Sequence, residues 1–293
     1  MIPKNIFVLV NLVSGKKKAP KALKLLKESL EDEGLNYEVF FTQKERNGWQ
    51  TVEQELKESF TDLIILGGDG TLNEAINGLK YDIPVGIIPC GSGNDYVKCL
   101  DLGKTLKDQV KTSIYGSIKK VDLGICNDRK FLNGVGIGFD GQIVADLVTQ
   151  KTWIQGAAKY YYHVLKILSS YKAQPFHFHS DAVENKKSLI LLCIAKGTTF
   201  GGAFKLVPDA KLDDGKLHIC EIGDLKPIKR FLNISRLGNG THIGLKEVGI
   251  HVAEKINIEG HAHLHAHIDG EYFGNPPFEF GVLKKELSIR VKS

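Results

Sequence analysis

Short apolar runs alternate with amphipathic segments along the first third of the chain. An uninterrupted apolar run is typical of a strand that is covered on both faces, and apolar residues at helical spacing predict the helices between such runs. The predicted strands are residues 6–10, 37–42, 63–66 and 84–88, and the predicted helices are residues 22–34 and 52–60. This order of strands and helices predicts a parallel sheet covered by helices.

The pattern changes near Val121, where short strands separated by turn signals begin. These strands are predicted at residues 121–126, 131–135, 176–179, 188–195, 217–222, 248–252, 256–258 and 287–291, with helices at 153–168 and 227–237. A chain of 293 residues exceeds what one hydrophobic core usually serves. We therefore predict an α/β domain of residues 1–120 and a β-rich antiparallel domain of residues 121–293, whose last residues could pack back on the first domain.

Glycines directly follow the strand at residues 63–66, and apolar residues at helical spacing come next. Gly67, Gly68 and Gly70 form the turn, and Thr71 with Glu74 fits a capping pair at the start of the following helix. A strand, a glycine loop and a helix N-terminus together present backbone N–H groups to an anion. Phosphate is the predicted ligand.

Asp69 is the unexpected residue of this loop, because its carboxylate would repel a phosphate unless Mg²⁺ or water lay between them. It therefore indicates a metal–nucleotide complex. The alternative is an ordinary turn whose aspartate caps the next helix.

A second glycine loop follows the strand at residues 84–88. Its Ser92, Asn94 and Asp95 suit contacts with phosphate, ribose or metal, although all three are also common turn residues. Ligands of parallel sheets sit beyond the carboxyl ends of the strands, so both glycine loops and residues 11–15 should meet at one edge.

Composition limits the partners. The 39 Lys and Arg against 34 Asp and Glu give a net charge of +5, which suits anionic ligands or an anionic lipid surface but is too small and dispersed for a nucleic-acid binder. The five cysteines are odd in number and lack metal-ligand spacing, which indicates reduced core residues of a cytosolic protein. No apolar run reaches 18 residues, so membrane contact should be peripheral.

The C-terminal half carries three further candidates. Asp213 and Asp214 could hold a hard cation or form a hairpin turn. One carboxylate of the pair Asp269 and Glu271 could act as a general base whose pKa the other raises, or both could belong to a surface turn. Four histidines would share one face of a strand, which leaves both a metal site and a partly exposed sheet face open; they are His261, His263, His265 and His267.

The assembled motifs resemble the bacterial diacylglycerol kinase-like lipid kinases. The likeness covers nearly the whole chain and is carried by the Asn-x-x-Ser-Gly start at Asn11 and by residues 67–74, 91–95, 133–140, 208–215 and 269–271. It implies an α/β nucleotide-binding domain, a β-rich, sandwich-like second domain and an active site in the cleft between them.

The resemblance also implies roles for individual residues. ATP contacts are expected at Asn11, Ser14, Gly15, Thr42, Gly67, Gly68, Asp69, Gly70, Thr71, Leu72, Asn73 and Ser92, with Asn94 and Asp95 beside them. Glu271 is expected to accept the proton of the lipid hydroxyl, with Asp269 next to it and Asp69 also in the catalytic set. A structural Mg²⁺ is expected at Asp214 and the main chain of Lys211 and Lys216.

These expectations predict a cytoplasmic enzyme that works at the membrane surface and uses ATP and Mg²⁺ to phosphorylate a lipid alcohol, with diacylglycerol as the first candidate. They leave open both a monomer and a homodimer. Two alternatives remain: NAD kinase-like phosphorylation of a soluble substrate, and a nucleotide-binding module without catalysis.

Overall fold

The computed structural model describes residues 4–15, 18–42, 47–149, 157–181, 184–260 and 263–293. The chain divides into two compact units. The first consists of Met1–Leu123 together with Lys284–Ser293, and the second is Gly124–Leu283. An α/β unit and a β-rich unit confirm the predicted fold class, whereas the placement of the active site in a cleft stays a prediction.

The first unit begins with alternating strands and helices. They are β1 (Asn5–Val10), α1 (Lys18–Asp32), β2 (Asn36–Phe41), α2 (Asn47–Glu55), β3 (Asp62–Gly67), α3 (Asp69–Gly78), β4 (Val85–Pro89) and α4 (Leu106–Tyr115), with a 3-10 turn at Tyr96–Cys99. Strand β5 (Ser117–Cys126) contains the boundary between the units.

The second unit is mostly strands. They are β6 (Arg129–Phe131), β7 (Gly134–Gly138), β8 (Gln174–Ser180), β9 (Glu184–Ala195), β10 (Leu217–Gly223), β11 (Val248–Ala253), β12 (Lys255–Glu259), β13 (Ala266–Ile268), β14 (Glu271–Gly274) and β15 (Phe278–Val291). The helices are α5 (Phe139–Thr149), α6 (Ala157–Ser170) and α7 (Pro227–Asn239), with a 3-10 turn at Thr241–Gly244.

The sheet of the first unit is parallel. Its strands follow the order β2-β1-β3-β4, and the end of β15 pairs in parallel with β4 at Ile289 and Val85. Apolar side chains of β1, β3 and β4 are buried against α1 and α4, as the uninterrupted apolar runs predict. The strand order reverses between β1 and β3, the point at which open parallel sheets bind their ligands.

The sheet of the second unit is antiparallel and centres on β9. The first half of β9 pairs with β8, and its second half lies between β7 and β10. From β7 the pairing continues through β13 to β14, so the strands on either side of the turn at Asp269 lie next to β7. A core that includes Phe176, Phe178, Phe278 and Phe280 fills this unit.

Most predicted elements are present, and the differences are local. The strand predicted at residues 131–135 is two strands, because Leu132 and Asn133 leave the ladder between β6 and β7. Helix α2 begins at Asn47 and ends at Glu55, several residues before the predicted helix at 52–60. Helices α4 and α5 were not predicted.

A buried ion pair fixes the end of β15 within the first unit. The Arg290 guanidinium donates to Asp62 through Nε, at 3.0 Å, and through Nη2, while Nη1 donates to the Gly116 carbonyl oxygen at 2.9 Å. Both charged residues are buried, and Lys4, whose Nζ is 3.7 Å from Asp62, adds a second positive charge.

We expect Arg290→Met to lower the free energy of unfolding by about 3 kcal/mol, because Asp62 would keep a buried charge without its main partner. Urea unfolding followed by circular dichroism measures the change. Lys292→Met removes an exposed cation from the same segment and should stay within about 0.5 kcal/mol of the parent protein. Equal losses for both variants would contradict the assigned role of the buried pair.

Candidate active site

The two glycine loops lie against each other at the carboxyl ends of β3 and β4. A Cβ added to Gly68 would lie 3.0 Å from the Cα of Gly91, and one added to Gly91 would lie 2.6 Å from the Cα of Gly68. The Cys90 N–H donates to the Gly67 carbonyl oxygen at 2.7 Å. Glycine is therefore required on both sides, because any side chain would separate the loops.

The loop after β1 is fixed to the same edge. Asn11 donates its N–H to the Leu66 carbonyl oxygen at 2.9 Å and its side-chain amide to Thr71 Oγ1 at 3.0 Å. Gly15 has a φ of +60°, and a Cβ there would lie 1.8 Å from the Cys90 carbonyl oxygen. The structure thus brings the first loop and both glycine loops together.

Thr42 and Ser14 lie at this edge as well. The Thr42 N–H donates to the Val10 carbonyl oxygen at 2.9 Å, and the Ser14 N–H donates to the Asn11 carbonyl oxygen at 3.2 Å. A Cβ on Gly68 would be 3.5 Å from Ser14 Oγ, so this hydroxyl lies next to the glycine loop.

Helix α3 begins differently from the prediction. Gly68 is its N-cap, in an extended conformation and without a side-chain capping bond. Thr71 lies inside the first turn, where its Oγ1 accepts from Asn11, and Glu74 accepts the N–H of Gly48 at 2.8 Å. The predicted Thr71–Glu74 capping pair is therefore wrong, since long-range partners take up both side chains.

Asp69 connects the two glycine loops through its carboxylate. Oδ2 accepts the N–H of Asp95 at 3.1 Å, and Oδ1 accepts the N–H of Tyr96 at 3.3 Å. Both carboxylates lie beside Gly93, because a Cβ there would be 3.3 Å from Asp69 Oδ2 and 3.7 Å from Asp95 Oδ2. The Asp69 carboxylate thus holds the second glycine loop in place through the backbone N–H groups of that loop.

The remaining predicted nucleotide contacts differ in exposure. Ser92 is exposed, Gly70 is half-buried, and the side chains of Leu72 and Asn73 are buried in α3. Asn94 adopts a φ of +50°, and its side-chain amide donates to the Gly91 carbonyl oxygen at 2.8 Å. The Ser92 side chain is therefore accessible, whereas those of Leu72 and Asn73 are enclosed by the fold.

In the second unit, Asp269 and Gly270 form the tight turn between β13 and β14. Both have positive φ, +47° and +88°, as a two-residue hairpin turn requires. The Asp269 carboxylate accepts the N–H groups of Leu132, Asn133 and Gly134 at 2.9, 3.0 and 2.8 Å. It thereby binds the two amides in the break between β6 and β7 and the first amide of β7.

Glu271 begins β14 and pairs with Arg129 of β6. Nη2 of Arg129 is 2.6 Å from Glu271 Oε2, and about a fifth of each side chain is exposed (17% and 22%). Both acidic residues of the predicted pair therefore contact residues 129–134. The sequence does not point to Arg129, because its partner lies 142 residues further along the chain.

His267 supports the turn from inside the unit. Its Nδ1 accepts the N–H of Gly270 at 3.3 Å, so the proton is on Nε2, which lies 3.2 Å from Asp140 Oδ2. Asp140 stands in the first turn of α5. His267 and Asp140 were not predicted to position this turn.

The histidine-rich segment is not the single long strand that its alternating pattern predicts. Strand β13 covers only Ala266–Ile268, and His261 lies outside the described residues. His265 Nδ1 is 2.9 Å from the Tyr272 hydroxyl, and burial lowers the pKa of His265. In the part of the chain that the structure describes, no group of three acidic, histidine or cysteine side chains could hold a metal.

The turn after Asp213 does not fit the expected structural Mg²⁺. The Nζ of Lys196 donates to Asp214 Oδ1 at 3.0 Å and to the Lys216 carbonyl oxygen at 2.6 Å, so an ammonium binds two of the expected ligand oxygens. The other carboxylate oxygen of Asp214 lies 2.8 Å from His218 Nε2, and that nitrogen is 3.3 Å from the N–H of Lys211.

Asp214 is ionised in this setting. Burial opposes its charge, but hydrogen bonds from Lys196, the Lys216 amide and His218 outweigh burial and hold the pKa of this carboxyl below its usual value. Lys196 was not predicted as part of this group.

Comparison with known proteins identifies the family. The model of the diacylglycerol kinase catalytic domain matches residues 5–126, and that of the YegS C-terminal NAD kinase beta sandwich-like domain matches residues 133–291. A diacylglycerol kinase of Staphylococcus haemolyticus is 30% identical over 287 residues, covering 96% of this chain and 86% of the relative. The chain belongs to the diacylglycerol kinase family.

Membership of this family makes the protein a kinase. A diacylglycerol kinase of Staphylococcus aureus strain MRSA252 is likewise 30% identical, covering 96% of this chain and 90% of the relative. Among the described residues, no helix is both long and apolar enough to cross a membrane.

Solved structures show the same fold. A crystal structure of a diacylglycerol kinase from Bacillus anthracis has a TM-score of 0.74 at 20% identity, with 99% of this chain and 97% of that chain covered. An NAD kinase from Archaeoglobus fulgidus, solved in complex with ATP, has a TM-score of 0.50 at 14% identity, with 97% and 92% covered.

The substitution Asp269→Asn tests whether the Asp269 carboxylate holds the backbone N–H groups of residues 132–134. Asparagine tolerates the positive φ but offers one acceptor oxygen, so at least one buried N–H would face an NH₂ group and the free energy of unfolding should fall by about 1–3 kcal/mol. Asp128→Asn neutralises an exposed carboxylate nearby and should change stability by less than about 0.5 kcal/mol. If urea unfolding finds both variants equally stable, Asp269 does not hold the turn in this way.

Proposed function

We propose that this kinase transfers the γ-phosphoryl group of ATP to the hydroxyl of a membrane lipid, with diacylglycerol as the first candidate. The observation that carries the proposal is the meeting of three loops at the point where the order of the parallel sheet reverses, in a chain of this family. The curated relatives are named diacylglycerol kinases, which supports the choice of acceptor.

On the nucleotide side, the backbone would do most of the binding. The N–H groups of the first glycine loop and the N-terminus of α3 suit the negative charge of phosphates. The exposed hydroxyl of Ser92 and the side chain of Asn11, which is already fixed on Thr71, would contact the nucleotide from either side.

Mg²⁺ fits beside this loop. Each oxygen of Asp69 accepts a backbone N–H of the second glycine loop, and Asp95, whose Oδ1 lies 2.6 Å from Lys98 Nζ, adds a second carboxylate beside Gly93. Mg²⁺ usually keeps several waters and takes one or two carboxylates together with the phosphates of its substrate. When bound, it would neutralise charge on the transferring phosphoryl group.

On the acceptor side, Glu271 would receive the proton. The lipid hydroxyl oxygen forms a bond to the γ-phosphorus as the bond from that phosphorus to the bridging oxygen breaks, and ADP leaves with that oxygen. The hydroxyl proton passes to the Glu271 carboxylate, which Arg129 holds in one orientation at 2.6 Å. Asp269 would act through the backbone of the turn and not by proton transfer.

A turnover assay tests the function directly. The purified protein is incubated with Mg-ATP and mixed micelles that each contain one lipid alcohol, and products are identified by mass spectrometry. A phosphorylated lipid is the expected product. Phosphorylation of NAD in the same assay would favour the soluble-substrate alternative, and tight ATP binding with no turnover on any acceptor would favour a non-catalytic module.

Glu271→Gln should lower kcat by about 10²- to 10⁴-fold, the usual contribution of a positioned general base. The KM for ATP should stay within about twofold, because the variant keeps the glycine loops intact. Glu259→Gln alters an exposed carboxylate of β12, which lies 3.1 Å from His177 Nδ1, and should retain the parent rate. A Glu271→Gln enzyme with more than a tenth of the parent kcat would exclude this residue as the base.

A face of α7 suits peripheral contact with an anionic membrane. Ile228, Phe231 and Leu232 are 67%, 38% and 72% exposed, and their spacing places them on one side of the helix. Arg230 points the opposite way, is buried and donates to the carbonyl oxygens of Leu168 and Tyr171 at 3.0 and 2.7 Å. Lys229 follows Ile228 in sequence and is half exposed beside Glu247, at 3.7 Å. We infer that this face binds lipid headgroups and inserts its apolar side chains.

The variant Ile228→Gln/Leu232→Gln should bind vesicles with anionic phospholipid at least tenfold more weakly, because each lost apolar side chain removes about 1.5–3 kcal/mol of burial. Co-sedimentation with vesicles measures binding, and circular dichroism checks the fold. Ile250→Gln/Val252→Gln changes two exposed apolar side chains of β11 and should bind like the parent. Equal weakening of both variants would rule out α7 as the specific contact.

A further inference from the structure

We propose that the ammonium of Lys196 replaces a structural divalent cation in this protein. The family resemblance implies Mg²⁺ at Asp214 and the main chain of Lys211 and Lys216, and the structure has a lysine nitrogen among those ligands. The loop would then be held by a cation that belongs to the chain itself, and its stability would not depend on bound metal.

The contacts of Lys196 are those of a built cation site. Lys196 directly follows β9 and is fully buried, at 0% exposure. Its N–H donates to the Asn133 carbonyl oxygen at 2.9 Å, which fixes the backbone from which the side chain extends. Its Nζ then donates to Asp214 Oδ1 at 3.0 Å and to the Lys216 carbonyl oxygen at 2.6 Å. A carboxylate and a carbonyl oxygen are also the ligand types that Mg²⁺ prefers.

The ammonium and a metal ion cannot share these oxygens. Mg²⁺ binds oxygen at about 2.0–2.1 Å and requires near-octahedral geometry, which would place two positive charges within a few ångströms of each other. Lysine is almost never fully buried unless its charge is paired. Displaced from Asp214, the Lys196 side chain would lose this pairing while its backbone stays fixed at the end of β9.

The rest of the carboxylate is also in use. Asp214 Oδ2 lies 2.8 Å from His218 Nε2, and Oδ1 additionally accepts the Lys216 N–H at 3.1 Å. His218 belongs to β10, and β10 pairs with β9 at His218 and Ala195. The loop is thus fastened at both ends to neighbouring strands by one carboxylate and one ammonium, without an added ion.

The first test uses the parent protein without nucleotide or lipid, so it does not depend on the proposed kinase reaction. Thermal unfolding is measured in EDTA and in millimolar Mg²⁺, Mn²⁺ or Ca²⁺, and the metal content of the EDTA-free protein is determined by mass spectrometry. We expect equal Tm values within about a degree, because no divalent ion binds the Asp214 loop of the folded state, and less than one tightly bound divalent ion per chain. A chelator-induced fall in Tm that Asp214→Asn abolishes would overturn the proposal.

The second test converts the site. Lys196→Asn removes the ammonium, leaves Asp214 and the Lys216 carbonyl oxygen in place, and offers a further oxygen ligand. Its Tm should fall by several degrees in EDTA and recover in a metal-dependent way, since an ion that binds only the folded state stabilises it. The double variant Lys196→Asn/Asp214→Asn should lose that recovery.

Lys216→Asn is the matched control. It removes a lysine from the same loop that pairs with Glu254, while its main-chain carbonyl oxygen remains, so its Tm should stay unresponsive to metal. If Lys196→Asn folds and no metal raises its Tm, the oxygens do not form a cation site and the proposal is wrong. If that variant folds only with metal, the proposal is supported, and if it never folds, the measurements on the parent protein decide.

Discussion

The structure of both candidate site regions depends on carboxylates that bind backbone N–H groups. Glycine-rich turns expose amides, and a buried amide without a partner is costly. Asp69 takes up two amides of the second glycine loop, and Asp269 takes up the two amides between β6 and β7 and the first amide of β7. Acidic residues that lie in the middle of the motifs therefore shape the main chain around the chemistry.

Each unit also contains charged side chains that are paired with an opposite charge in the interior. Arg290 and Asp62 pair in the first unit, and Lys196 and Asp214 pair in the second. Glu221 is also buried and lies 3.0 Å from Lys187 and 2.9 Å from His251. Such pairs add little net stability relative to apolar packing, but losing one member leaves an uncompensated charge. The pairs therefore determine which segments of the chain lie together. The Lys196–Asp214 pair does this for the loop at which the family resemblance implies a metal.

The sequence predicted those features whose cause is local. Apolar runs and glycine turns locate β1, β3 and β4, and the motif at Gly67 locates the loop, because a few adjacent residues determine each. The features it missed depend on distant partners. Lys196 follows an apolar strand and meets Asp214 only after the chain turns back, and Arg129 meets Glu271 across 142 positions.

Local patterns also misled where tertiary contacts competed with them. Thr71 and Glu74 have the spacing of a capping pair, yet Asn11 and Gly48 bind these side chains instead. The alternating histidines suggest a long strand, but β13 has only three residues, and His265 and His267 take different partners. Spacing states which contacts a segment could make, whereas the surrounding fold decides which it does make.

The pairing of Glu271 with Arg129 bears on the kind of base that the proposed reaction would use. In phosphoryl transfer the transition state is loose, so the acceptor hydroxyl keeps its proton until its bond to phosphorus is well advanced. The reaction then asks little of the base except a correct position relative to that hydroxyl. Arg129 supplies position, and so do the amides at Asp269 and the contact of His267 with Gly270. Three side chains thus position the single carboxylate that we propose as the base, which is the arrangement expected when orientation limits the rate more than basicity.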